Sequence, residues 1–534
     1  MGLARPSQPH PEQALLGYGD AARVPELSPE VLALLRDGLG IRAPRPDPAA
    51  RDIALPAPRL GEESLAGLRE IVGAGHVRAD REARLAHTRG RSTTDLLRLR
   101  AGEAVGAPDV VAYPAGHEEV AALLELCSRE RIAVVPYGGG TSVVGGLEPD
   151  AGRFAGVLAL DLRRLDALVA LDGTARLATL EPGLRGPQAE ALLGERGYTL
   201  GHFPQSFQYA TLGGFAAARS SGQASAGYGR FDELVMGMRV ATPAGTLRLG
   251  RAPRSAAGPD LRQLILGSEG TLGVITELTV TVRPAPAARA YEGWRFRSFA
   301  DGVEALRALA QDGPRPTVLR LSDEAETALN LSRPGALATA GAGGALAIAG
   351  YEGSEAEVEE RRTAAARVLE RVGGEPDEAA GEHWVRERYE GPYLRDALLS
   401  AGALVETLET ACFWSQLADV YARVGEAARE SLSAQGTPPV VLCHVSHVYA
   451  AGASLYFTIG CAQAEDPVAQ WRAVKQAAGR AIGDAGATIT HHHGVGRDHR
   501  EFYAGEVGEL AIRALRAVKR ELDPAGILNP GILL

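Results

Sequence analysis

The chain has 534 residues, 45% of them hydrophobic, with a formal net charge of −10, which gives it material for more than one domain and argues against a nucleic-acid partner or general attraction to anionic lipid. Its four cysteines, Cys127, Cys412, Cys443 and Cys461, lie in apolar surroundings without metal or redox spacing, which points to buried thiols in a reducing compartment. The start lacks a signal-type apolar core, Ile532-Leu533-Leu534 is not a peroxisomal tripeptide, and no run approaches the roughly 18 apolar residues of a membrane span, so a cytoplasmic protein is expected.

Residues 1–104 open Pro-rich and turn helical, with Ser28-Pro29-Glu30 as a cap-then-proline start. Residues 105–284 mix strands and helices: Val110-Val111, a helix over 118–131, strands at 157–162 and 178–181. Between them Val134-Val135-Pro136-Tyr137 runs into Gly138-Gly139-Gly140-Thr141-Ser142. Glycines let a ligand approach the main chain, and successive N–H groups form a concave nest for anionic oxygens, with Thr141 and Ser142 adding hydroxyl donors. This is chemistry for a diphosphate, but it is neither Walker A, which needs a lysine after the last glycine, nor G-x-G-x-x-G. A second glycine-rich turn, Gly267-Ser268-Glu269-Gly270-Thr271-Leu272-Gly273, leads into an alternating strand that ends before Pro284.

Residues 285–490 read as a separate antiparallel sheet covered by helices, with strands at 316–321, 344–350, 440–445 and 454–459 and helices at 354–372 and 409–432. Gly341 to Gly344 reads as a turn or a mobile loop. Residues 491–534 are expected to return to the first glycine-rich domain. This tail begins with His491-His492-His493 at the end of an apolar run. Read as a strand, it puts His491 and His493 on one face and His492 on the other. No HExxH, CxxC or facial carboxylate accompanies them, so no metal is expected. Imidazoles that titrate near neutrality suit acid–base or orienting work.

The two glycine turns, with Gly201-His202-Phe203-Pro204, Thr211-Leu212-Gly213-Gly214, Ser220-Ser221-Gly222 and Tyr228-Gly229 between them, resemble FAD-binding proteins of the vanillyl-alcohol oxidase/p-cresol methylhydroxylase superfamily. The resemblance implies an α+β fold, a two-subdomain p-cresol methylhydroxylase-type FAD-binding domain plus an antiparallel-sheet cap. It implies FAD contacts from Pro136, Gly138, Gly139, Gly140, Thr141, Ser142, Pro204, Thr211, Gly213, Gly214, Ser221, Gly222, Tyr228, Glu269, Gly270 and Ile275. Relatives that tether the flavin through the first loop carry a histidine after its glycines; Gly140-Thr141 here imply non-covalent FAD.

Within that superfamily Gly17-Tyr18-Gly19-Asp20, Arg320-Leu321-Ser322-Asp323, Glu409-Thr410, Gly452-Ala453-Ser454-Leu455-Tyr456-Phe457 and the triple histidine resemble the alkyldihydroxyacetonephosphate synthases. The implied reaction exchanges the fatty acid of acyl-dihydroxyacetone phosphate for a long-chain alcohol through a flavin N5 adduct, with no net electrons leaving. Tyr456, His491, His492 and His493 are implied catalytic residues, and Arg320 an implied anion-binding one. His444 stands where the mammalian-type enzyme has a second arginine. The resemblance also implies a lipid or small-molecule substrate, peripheral membrane contact and a homodimer. A second reading, an FAD-dependent dehydrogenase or oxidase of a 2-hydroxy acid or another alcohol, is raised by His444 and by the ending Asn529-Pro530-Gly531.

Overall fold

In the computed structural model, which describes residues 3–41, 43–331 and 343–534, two sheets make the glycine-rich half. Three strands, Val110–Ala112, Val157–Asp161 and Ala133–Tyr137, run parallel, with the short strand Val77–Arg78 antiparallel at the edge. The parallel strands are almost entirely buried, as continuous apolar runs in a covered parallel sheet must be. The helix His117–Glu130 packs Val120, Leu123, Leu124 and Cys127 against them. Beside this lies an antiparallel five-stranded sheet in the order Leu168–Asp172, Leu177–Leu180, Val274–Thr281, Val235–Thr242, Gly245–Leu249.

The other half is an antiparallel seven-stranded sheet in the order Glu375–Asp377, Ala288–Phe296, Ala345–Gly353, Val318–Ser322, Val440–Val448, Gly452–Ala462, Ala403–Phe413. Alternation along its strands divides the labour. Leu319, Leu321, Cys443, Val445, Leu455 and Phe457 join one core with the helices Phe299–Gln311, Glu355–Arg371, Leu417–Ala434 and Pro467–Asp484. Arg320, Ser322, Leu442, His444, Tyr456 and Thr458 face the opposite way, into a cavity. The fold is α+β. The end of the expected glycine turn at 341–344 lies beyond the undescribed stretch; residues 341 and 342 are outside the described residues, and Ala345–Gly353 forms the strand that follows.

One expected helix is wrong in its first part. Residues 409–413 belong to the strand Ala403–Phe413, and the helix starts at Leu417. Glu406 and Glu409, three apart and so on opposite faces of this strand, are both buried, with Trp471 donating its indole N–H to Glu406. Both carboxylates find their partners only across the tertiary structure, which holds this stretch in the sheet.

The tail returns to the first domain. Leu528 bridges Val134 in parallel, and the Asn529 amide Nδ2 donates to Gly146 O at 3.0 Å and Glu269 O at 2.7 Å. Asn529 thereby ties the first glycine loop to the second, and it is buried and in a left-handed conformation with φ 39°. Asp523 holds this turn by accepting from the amides of Ile527 and Leu528 at 3.0 and 2.8 Å and pairing with Lys519 at 2.6 Å. Replacing Asn529 by Ala strands two buried carbonyls at about 1–3 kcal/mol each. The variant is therefore expected to melt several degrees lower in a thermal scan and to give up bound flavin more readily; an unchanged melting temperature would show that the loops hold without this bridge.

Candidate active site

The cavity between the glycine loops and the seven-stranded sheet has a volume of about 720 Å³, within the range of ligand sites. Of the residues singled out in the sequence it is lined by Pro136, Gly138 to Ser142, Pro204, Thr211, Gly213, Gly214, Ser221, Glu269, Gly270, Ile275, Arg320, His444, Tyr456, His492 and His493. Three others lie outside its lining. Gly222 packs against the Phe203 backbone. Tyr228 donates its hydroxyl to Glu352 at 2.7 Å beneath the Arg283 guanidinium, beside a separate, smaller hollow. His491 turns away to the Tyr449 hydroxyl, 2.6 Å from its Nε2.

The histidine segment is not a strand. Residues 491–493 form a bend, and their three consecutive backbone N–H groups converge on the Glu409 carboxylate at 2.6, 3.1 and 3.0 Å, with the Thr490 hydroxyl adding a fourth donor at 2.6 Å. The alternation expected for a strand therefore fails: His492 and His493 both reach the cavity. The carboxylate missing from the sequence motif is supplied 82 to 84 positions away in the chain, on a strand where Glu409 stands opposite Tyr456. Burial opposes its charge, but the histidines around it and these donors hold its pKa well below the usual carboxylate range.

Tyr456 lies between two imidazoles. His444 stacks on its ring at 4.9 Å and 16°, and His492 at 6.2 Å and 21°, while His493 meets it edge-on at 5.7 Å. Burial raises the Tyr456 hydroxyl to about 12. It lowers His493 to about 3 and moves His491, His492 and His447 down as well. At neutral pH the site thus offers a protonated phenol and uncharged imidazoles.

His447 and Tyr449 were not singled out from the sequence. A β-bulge between Val445 and His447 shifts the register, so that Ser446 and His447 both line the cavity; strict alternation would have hidden one of them. Nitrogens of His447, His491 and His492 come within 4.8 Å of one another. The Arg230 guanidinium lies close enough to lower all three pKa values, which works against a further cation there.

The glycine loop tests the expected cofactor. Among the described residues, the amide N–H groups from Gly139 to Val143 have no acceptor in the protein. A Cβ at Gly139 would collide with the Tyr209 carbonyl. Unspent donors around a close main-chain approach fit the diphosphate of FAD. Glu269, in contrast, spends its carboxylate on the amides of Val495 and Gly496 at 2.9–3.1 Å, with burial raising its pKa to about 7. It fastens the tail beneath the cavity.

Exchanging Glu409 for Gln keeps the volume but sets an NH₂ group against amide donors, leaving at least one buried N–H unpaired at about 1–3 kcal/mol. Turnover is expected to fall at least about tenfold with flavin content retained; full turnover would show that the bend forms without the carboxylate.

Comparison with known proteins agrees with this geometry. Residues 108–250 match the family model "FAD binding domain", and residues 285–533 match "FAD linked oxidases, C-terminal domain". The chain is 33% identical to an alkyldihydroxyacetonephosphate synthase of Dictyostelium discoideum over 509 residues, covering 90% of this chain and 82% of that protein. It is 32% identical to the synthase of Trypanosoma brucei brucei, again over 90% of this chain and 82% of that protein. A solved alkyldihydroxyacetonephosphate synthase superposes with a TM-score of 0.83 at 29% identity, covering 97% of this chain and 98% of that one. A p-cresol methylhydroxylase structure shares the fold, at TM-score 0.65 and 16% identity, over 88% of this chain and 96% of that one.

Proposed function

Since this chain belongs to the alkyldihydroxyacetonephosphate synthase family, we propose that it is an FAD-dependent enzyme that replaces the fatty acid of acyl-dihydroxyacetone phosphate with a long-chain alcohol, forming an ether. The observation that carries this reading is Tyr456 flanked by uncharged imidazoles in a buried cavity facing the glycine loops. In it the amides of residues 139–143 hold the FAD diphosphate, and Pro136, Gly138, Pro204, Thr211, Gly213, Gly214, Ser221, Gly270 and Ile275 wall the cofactor. Bound FAD supplies an electron-rich ring nitrogen and a reversible store for an electron pair.

The chain's own groups move the protons. The C–O bond to the acyl group breaks with its electron pair leaving on the carboxylate, and the protonated Tyr456 hydroxyl donates to that developing charge. The alcohol oxygen forms the new C–O bond and its proton passes to His492 or His493, which is uncharged at neutral pH and so has a ring lone pair free to accept it. His491, held by Tyr449, orients the bend. Arg320 faces the phosphate. No electrons leave, so no acceptor is required.

The ending that suggested a hydroxy-acid dehydrogenase has a structural task in this reading: Asn529 is spent on two loop carbonyls. The FAD is non-covalent, since Gly140 and Thr141 occupy the place of a tethering histidine. We also assign the protein to the cytoplasm, as a homodimer that draws lipid substrates by peripheral membrane contact; no helix among the described residues is long and apolar enough to cross a membrane.

Anaerobic incubation of the FAD-loaded protein with palmitoyl-dihydroxyacetone phosphate and labelled hexadecanol is expected to yield the ether without net flavin bleaching. Bleaching by 2-hydroxy acids with no ether would reverse the assignment. Acid precipitation is expected to leave the yellow colour in the supernatant, and colour in the pellet would refute a dissociable cofactor.

A further inference from the structure

Arg320 and His444 reach the cavity from strands two residues out of register with each other, Ser322 being the direct partner of His444. Between them comes Glu326, from the helix Glu324–Leu331 that follows the arginine strand. Its Oε1 lies 3.7 Å from the Arg320 guanidinium, and its two oxygens lie 3.1 and 3.0 Å from His444 Nδ1. All three side chains are largely buried and all line the cavity. Where the family resemblance sets two permanent cations, this chain has one, already paired with a carboxylate.

We propose that Glu326 determines head-group specificity by leaving this pocket without net charge, so that a phosphate dianion enters only together with a proton taken up by His444. This rests on the ether-forming reading above. A dianion beside a fixed carboxylate in a pocket shielded from water is repelled. Protonation of His444 compensates, because the imidazolium then bridges Glu326 and the incoming oxygens, whereas a guanidinium would carry its charge at every pH.

The surroundings agree with this assignment. Glu326 is held ionised at about 2 against its burial, by the hydrogen bond from His444 Nδ1 and by the Arg320 guanidinium. Burial keeps His444 below its usual value, so it is neutral before the ligand arrives. Of the neighbouring groups, Tyr456 is uncharged, His492 is neutral, and Glu406 and Glu409 are spent on Trp471 and on the histidine bend; of the other arginines that line the cavity, Arg295 is paired with Asp377 and Arg388 lies over the Trp384 and Tyr389 rings. Asp323 turns its carboxylate to the Cys443 amide and the Tyr421 hydroxyl, and Arg395 is paired with Asp396.

The sign follows from linkage. A site that takes up one proton with its ligand weakens by up to about tenfold per pH unit as the pH rises. KM for acyl-dihydroxyacetone phosphate is therefore expected to rise steeply between pH 6 and pH 8, while KM for the unphosphorylated acyl-dihydroxyacetone stays flat. Glu326→Gln frees Arg320 and is expected to lower KM for the phosphorylated substrate at pH 8 at least about tenfold and flatten its pH dependence. His444→Arg is expected to do the same by an independent route. A flat KM in the wild type, or no gain of phosphate preference in both variants with flavin content and melting temperature intact, overturns the proposal.

If no ether forms from any substrate, the functional reading fails, and the pocket is judged by binding alone. Titrating the FAD-loaded protein with glycerol phosphate at pH 8, in two buffers of different ionisation enthalpy, is expected to show proton uptake that Glu326→Gln abolishes. Equal uptake in both proteins, or none in the wild type, refutes the role of Glu326.

Discussion

A carboxylate removed from water without a cation beside it is costly unless donors occupy its lone pairs. Glu409 meets that demand with peptide groups: three successive amides of the histidine segment and one hydroxyl. Much of the site's geometry follows from this exchange. Because Glu409 sits opposite Tyr456 in the ladder between Ala403–Phe413 and Gly452–Ala462, fixing the bend on Glu409 also fixes His492 and His493 relative to Tyr456. A segment that belongs to neither strand is thereby indexed to the sheet. The backbone pays no side-chain entropy for these bonds, which suits a part that must hold imidazoles still.

The same device occurs on the other wall. Glu269, at the tip of the second glycine turn with φ 51°, accepts the amides of Val495 and Gly496. Residues 491–496 are therefore strung between two carboxylates, one from each half of the molecule. Their protonation differs for identifiable reasons. Glu409 has four donors and the histidines close by; Glu269 has two amides and the like charge of Asp498 nearby, so burial prevails and its pKa rises to about 7. Asn529 adds a third tie by joining Glu269 O to Gly146 O. The tail is thus a strap across the cavity floor, and the order of its contacts follows the order of its sequence.

What the sequence made legible was what is local. Glycines before Thr141 and Ser142 mark a loop whose main chain is left open because no side chain intervenes, and it lines the cavity; the alternation in Leu455-Tyr456-Phe457 is enough to send Tyr456 to one face and its neighbours to the core. What escaped depended on partners distant in the chain. Glu409 reads as the start of a helix, and only its pairing with the strand at 452–462 makes it a strand residue. The bend at 491–493 looked like a strand because its apolar approach is strand-like, and only the carboxylate explains the turn. His447 was hidden by a one-residue bulge, and Glu326 by lying six positions beyond an arginine whose side chain it meets only once a strand turns into a helix. Asn529 read as a family ending, although its amide is occupied as a bridge.

The division of the seven-stranded sheet into two faces also explains how such a site accommodates change. Leu319, Leu321, Cys443, Val445, Leu455 and Phe457 lock one face against helices, where a lost methylene costs about 1 kcal/mol. Arg320, Ser322, His444, Tyr456 and Thr458 interleave with them one position away and face the cavity. A substitution at an alternate position can therefore alter charge in the cavity while leaving the core untouched. An imidazole at 444 shows the limit of this freedom. It keeps the flat stacking contact with Tyr456 that a guanidinium also makes, so the aromatic position is preserved while the charge becomes dependent on a proton. Stability and chemistry are thus specified by different residues of the same strands, and only the face turned to the cavity records which ligand the pocket has been shaped to receive.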